Sequence, residues 1–125
     1  MPYADASFDA IVSLFVIHHN RLARIRRTVE EIGRILKPGG LALLDLNATV
    51  SGTLAGETGI EVEPGTFMPT SGREVGTVHR YFDEASAHSV FSRLRALELH
   101  LNEQDFRDAT GVIRHYGQWT ALLTR

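Results

Sequence analysis

Apolar residues fall along this chain in three patterns. Between Phe8 and Ile17 they form a nearly continuous run: Phe8, Ile11, Val12, Leu14, Phe15, Val16 and Ile17. Such a run predicts a strand over 8–17, buried on both faces as in a parallel sheet. Leu22, Ile25, Val29, Ile32 and Leu36 then recur at three- and four-residue steps. That spacing predicts a helix over 21–37 with one apolar stripe. Asn20 is placed to cap its start, and Lys37-Pro38-Gly39-Gly40 to end it. Glu30 and Arg34 are expected to pair on its wet side. Residues 41–46 form a second apolar run. Strand, helix, turn and strand make one βαβ unit, with the usual right-handed crossover expected.

The pattern breaks over 47–80. Gly52, Gly56, Gly59, Gly65, Gly72 and Gly76 lie there, with Pro64, Pro69 and many Ser and Thr. A stretch of this length without its own elements is expected to be a lid-like loop insertion. Asp83 can then cap a helix over 84–94, with Phe82 before the cap and Val90, Phe91 and Leu94 on one face. Leu97, Leu99 and Leu101 alternate with Glu98, His100 and Asn102, the mark of a half-buried strand. Residues 105–114 carry charges and Gly111, as a hairpin connection does. Tyr116 to Leu123 reads as the last strand, with Trp119 in the core. The expected fold is α/β: a mixed sheet with two main helices, in a single domain over 1–125.

The composition is that of a globular domain, 43% hydrophobic and 22% charged. A net charge of −2 offers no basic field for nucleic acid. With no cysteine there is no disulfide framework and no thiolate metal site, which fits a cytoplasmic location. No apolar run is long enough to cross a bilayer, so no membrane partner is expected. Six histidines without a two-His helical spacing give no metal site.

Two motifs stand about thirty residues apart: Ser7-Phe8-Asp9 before the first strand, and Leu36-Lys37-Pro38-Gly39-Gly40 before the second. With His18-His19 after the first strand, they resemble the second half of the class I S-adenosylmethionine-dependent methyltransferases of small-molecule type. The resemblance implies strands 4, 5, 6 and 7 of a Rossmann-like sheet, in the order 4-5-7-6 with the last strand antiparallel. Gly65-Thr66-Phe67 through His79-Arg80-Tyr81-Phe82 is similar to that family's variable insertion after strand 5. The implied cofactor is S-adenosylmethionine and the implied partner a small-molecule methyl acceptor.

In this family the glycine-rich loop after strand 1 and the ribose-binding acid of strand 2 precede the strand 4 motif. Neither has a counterpart in 1–125. The chain alone is therefore expected not to hold the cofactor usefully and to be inactive by itself. Ser13, Leu14 and Phe15 would line the surviving cofactor wall with backbone carbonyls. His18 and His19 are the candidate catalytic residues, able to orient an acceptor or take its proton, or simply to pack at the strand end. His79, Arg80 and Tyr81 are the candidate substrate-binding residues. Asp45 and Asn47 could face the pocket, but capping the following turn or hydrogen-bonding backbone is the simpler role. His88, His100 and His115 are expected at the surface, and Arg21, Arg24, Arg26 and Arg27 on a solvated helix face.

Two rival readings accompany the enzyme. One is a non-catalytic assembly module that completes its sheet with another chain. The other is a different α/β enzyme using the two histidines. Residues 8–17 show no Lys, Pro or bulge of the kind that protects a strand edge, so a homodimer or partner chain is expected to pair there.

Overall fold

A computed structural model of the chain describes residues 1–49 and 59–125. Strand β1 (Phe8–Ser13) runs parallel to β2 (Leu36–Ala48), with helix α1 (Leu22–Ile35) crossing between them. Two short strands, β3 (Gly59–Glu63) and β4 (Thr66–Pro69), form a hairpin that pairs with β5 (His79–Phe82). Helix α2 (Glu84–Phe91) leads to a long antiparallel hairpin of β6 (Arg95–Arg107) and β7 (Ile113–Thr124). Strand β2 is central. On one side it carries β7, antiparallel from Leu41↔Thr124 to Asn47↔Gln118. On the other it carries β1 at its start, and β5 at its end through Asn47↔Tyr81 and Ala48↔Phe82. The expected order 4-5-7-6 is thus β1-β2-β7-β6.

Side chains alternate across β2 because successive residues point to opposite faces. Ala42, Leu44, Leu46 and Ala48 join Ala121, Leu123 and Trp119 beneath both helices. The apolar stripe of α1 meets them through Ile25, Val29 and Ile32, and α2 adds Ala87, Val90 and Phe91. Trp119 donates its indole N–H to the Phe82 carbonyl at 2.9 Å, so its one polar atom is satisfied in the core. The opposite sheet face carries Leu41, Leu43, Asp45 and Asn47. No described helix covers it, and Val12 and Leu41 are 65% and 42% exposed there.

Several boundaries differ from expectation for tertiary reasons. Strand β1 ends at Ser13, not at 17, because Phe15 adopts a left-handed φ of 60°. Its N–H is taken by both oxygens of Asp45, at 2.8 and 2.9 Å. Helix α1 starts after Arg21 rather than a capping Asn20, and no side chain of Arg21 caps it. The free N–H of Leu22 goes instead to Glu63 of β3, at 2.7 Å. Arg34 does not pair with Glu30. It grips Glu31 at 3.0 Å and Asp5 at 2.5 Å, while Glu30 faces Arg93 at 3.5 Å. The helix gives way to extended backbone at Leu36, so Pro38 and the glycines sit within β2.

The stretch expected as a plain loop carries β3, β4 and β5. Residues 50–58 of it lie outside the described residues. Helix α2 has the expected Asp83 cap, which accepts from the Ser86 N–H at 2.8 Å, but ends at Phe91 rather than 94. The β6–β7 hairpin is longer than the alternating leucines indicated. Its turn is tied by Asp108, which accepts from the N–H groups of Thr110 and Val112 and from Arg114. These bonds hold the Asp108 carboxyl well below the usual range.

Candidate functional site

The candidate residues gather where β1 and β2 end and β5 begins. After Ser13 the chain leaves the sheet, turns at Phe15 and returns inward, so that Ile17 and His18 are buried. The turn exists because Asp45, one position beyond the last β1 pair on β2, offers a carboxylate to the Phe15 N–H. Gln118 on β7 donates its side-chain amide to the second oxygen of Asp45 at 2.6 Å. The buried carboxylate therefore keeps two protein donors, which is what a buried charge requires. Burial nonetheless raises its pKa, against the pull of the Phe15 N–H.

Three imidazoles lie side by side. The rings of His18 and His19 are 4.4 Å apart between centroids, and those of His19 and His79 are 4.6 Å apart. His18 and His79 are buried, and His19 is half-buried. His18 Nδ1 lies 4.0 Å from Asp45, beyond hydrogen-bond reach. His79 Nε2 lies 3.0 Å from a Glu74 oxygen but out of hydrogen-bond alignment. These two nitrogens and His19 Nδ1 are buried without a hydrogen-bond partner. Burial, reinforced by His19 and His79, pushes His18 down to about 3. Burial also lowers His79, although Glu74 opposes the shift.

At neutral pH His18 is therefore an uncharged ring with little basicity, suited to packing and orientation. His19 is the candidate of the pair with a partly open ring. No described group of His, Asp and Glu is arranged to hold a metal ion.

The other expected contacts divide. His79 joins the histidine group. Arg80 turns away from it, bonding the Pro64 carbonyl and, at 3.3 Å, the Thr66 hydroxyl, with its guanidinium over the Phe82 ring. Tyr81 packs edge-on to Phe67, and burial pushes its hydroxyl up to about 12. Leu14 and Phe15 are 40% and 59% exposed at the end of β1, beside Ser13. Asp45 took the simpler of its two expected roles, since it binds backbone. Trp119 lies in the core, and His88 and His100 are exposed. His115 is half-exposed between Asp105 and Glu103, at 2.7 and 3.0 Å, and both carboxylates raise its pKa.

Sequence reasoning missed Gln118, Tyr116 and Glu74. The Tyr116 hydroxyl donates a long 3.5 Å bond to Asn47. With Gln118, Asn102, Glu103 and Gln104 it lines a cleft of about 220 Å³ on the sheet face opposite the helices. The β6–β7 register brings the cleft residues together and the β2–β7 register adds Asn47, and no linear spacing announces them. A larger depression, about 590 Å³, lies on the outer side of α1 between Arg24, Arg27 and Glu31, away from the histidines.

The sequence pattern of the family described as a methyltransferase domain matches residues 1–44, which include β1, His18, His19 and α1. Over that segment the chain is similar to methyltransferase domains. Over 45 residues it is 42% identical to the human protein named Probable tRNA methyltransferase 9B. That match covers 35% of this chain and 10% of the human protein. A crystal structure of a SAM-dependent methyltransferase from Methanosarcina mazei superposes with a TM-score of 0.72 at 19% identity. It covers 99% of this chain, which spans 62% of that methyltransferase. A Burkholderia thailandensis 1,6-didemethyltoxoflavin-N1-methyltransferase, solved with S-adenosylhomocysteine bound, superposes at a TM-score of 0.58 and 15% identity. It covers 98% of this chain and 46% of its own length is spanned. At these identities the two structures establish the fold, and the methyltransferase sheet runs through all four main strands.

Proposed function

We propose that this chain supplies the acceptor side of an S-adenosylmethionine-dependent methyltransferase acting on a small molecule. One observation carries the reading: His18 and His19, inside the segment with the family pattern, meet His79 of β5 beyond the carboxyl ends of parallel strands. Ligands of open α/β sheets bind at such strand ends. S-adenosylmethionine would supply an electrophilic methyl group on its sulfonium. His19 would orient the acceptor and take the proton its N–H or O–H loses as the new bond forms. His18 and His79 would hold that ring in place, and Tyr81, kept protonated by its burial, would remain a donor. Much of the rate can come from alignment alone.

The residues present fit the cofactor in part. Exposed Leu14 and Phe15 can cover the flat apolar face of an adenine. Asp45 cannot serve the ribose hydroxyls, because both its oxygens are engaged. We therefore expect the 125 residues alone to bind the cofactor with a Kd weaker than about 10 μM. Each missing charge-assisted hydrogen bond is worth about 1.5–3 kcal/mol. Calorimetric titration tests this. With a polypeptide bearing the glycine-rich loop added, turnover should appear, and His19→Ala should lower kcat about 100-fold at unchanged cofactor affinity. An unchanged kcat would remove His19 from the reaction.

The outer edge of β1, unpaired among the described residues, supports a second reading: an assembly module that binds a partner strand without catalysis. Restored cofactor binding with no turnover on any acceptor would favour it.

A further inference from the structure

We propose that His18, His19 and His79 form an acid-sensitive latch, which holds the β3–β4–β5 unit against the β1–α1 loop at neutral pH and releases it when the rings are protonated. The described residues show which contacts join the unit to the β1–α1 loop and to β2. The Arg80 N–H donates to the His18 carbonyl at 2.9 Å, and the Leu22 N–H donates to Glu63 at 2.7 Å. Arg21 reaches the Val62 carbonyl at 3.2 Å. Strand β5 meets β2 over only two register positions. At its far end β5 stays anchored, because Phe82 lies in the core and its carbonyl accepts from Trp119; the ring stack ties the start of β5 to the loop, joining His79 to His19 and His18. Of its three buried nitrogens without a hydrogen bond, those of His18 and His19 have no acceptor within reach for an added proton among the described residues, and that of His79 has only the exposed Glu74, at 3.0 Å.

The charges around the stack decide the sign. From β2, Asp45 lies 4.0 Å from His18, but its oxygens are occupied by Phe15 and Gln118. From the segment before β5, Glu74 lies beside His79 and is exposed. Arg80 and Tyr81 of β5 and Arg21 at the start of α1 add two cations and one neutral hydroxyl. Glu63 of β3 is held by Leu22 and lies 3.9 Å from Arg21. The His19 ring lies 4.4 and 4.6 Å from its two neighbours, so protons on adjacent rings repel. Burial already keeps His18 and His79 in their neutral forms. The open arrangement, with rings in water, therefore binds protons more readily. Acid favours opening below the ordinary histidine value of about 6.5. This device stands apart from the methyl-transfer reading, because it needs neither cofactor nor acceptor.

Amide hydrogen exchange of the intact chain between pH 8 and 5 tests it. After correction for intrinsic rates, protection at Leu22 and Arg80, whose N–H groups bond across the boundary, should fall about tenfold per pH unit below 6.5 for each proton taken up. Protection of Leu44 and Leu123 in β2 and β7 should persist. His79→Phe keeps a ring in the stack but removes its proton site, and should flatten the dependence. His79→Gln provides the same comparison should the bulkier ring disturb folding. Parallel loss of protection in β2 and β7, or a dependence unchanged in both variants, would overturn the latch.

Discussion

Asp45→Ala is the most informative single change, because one carboxylate sets the course of the chain out of β1. It would leave the Phe15 N–H and the Gln118 amide without their acceptor. It would also remove what holds Phe15 at a φ of 60°, a conformation that costs about 1–3 kcal/mol for such a residue. A hydrogen bond to a charged group contributes about 1.5–3 kcal/mol. Two donors lose such a bond, giving a gross loss of about 3–6 kcal/mol. Two gains offset part of it: relief of the buried charge, whose cost shows in the raised pKa, and relaxation of Phe15. A net loss of about 2–4 kcal/mol remains, a large share of the stability of a domain this size. Asp45→Asn keeps an acceptor oxygen for Phe15 and should cost less than half as much. Urea unfolding at pH 7 reads both variants, with equal m-values required for the comparison. A loss below about 0.5 kcal/mol for Asp45→Ala would refute the reasoning. So would an unchanged exchange rate at the Phe15 amide.

Other outcomes follow from the same contacts. Gly40→Ala should lower stability by about 1–3 kcal/mol, because its Cβ would lie 2.9 Å from the Lys37 carbonyl and 3.0 Å from that of Asp9; an unchanged melting temperature would contradict this. His115 should titrate above 6.5 by NMR, since Asp105 and Glu103 stabilise its charged form. Its contribution is present below 6.5 and fades as pH rises through the raised value, and Asp105→Asn should bring the titration back toward 6.5. The free edge of β1, with exposed Val12, Leu14, Phe15 and Val16 beside it, should drive self-association at tens of micromolar. Sedimentation showing a monomer for the unaltered chain, or no change on Val12→Lys, would count against that edge as the contact.

The elements themselves were legible before any coordinates. The periodic Leu22, Ile25, Val29 and Ile32 became the buried stripe of α1, and the continuous run of β2 became the central strand. Asp83 capped α2 as a short acceptor just before a helix does. Ser7-Phe8-Asp9 and Leu36-Lys37-Pro38-Gly39-Gly40, about thirty residues apart, carried the resemblance to methyltransferase domains that the family pattern over residues 1–44 also shows, and each motif marks the entry to a parallel strand.

What local pattern could not supply were decisions made by residues far apart in the chain. Phe15 continues an apolar run and reads as strand, yet Asp45, thirty residues on, captures its N–H and ends β1 early. Asn20 is a better cap than Arg21 by intrinsic preference, but Glu63 reaches in from 41 residues away to take the free N–H of Leu22. The site follows the same rule. His18 and His19 were visible as neighbours, but the neutral state of His18 comes from burial, from His19 and from His79, which only the docking of β5 brings to the stack. Propensity and periodicity act over a few residues and determine which segments become helix or strand. Where those segments stop, and which side chains share a site, depends on hydrogen bonds and desolvation that exist only once the sheet is assembled.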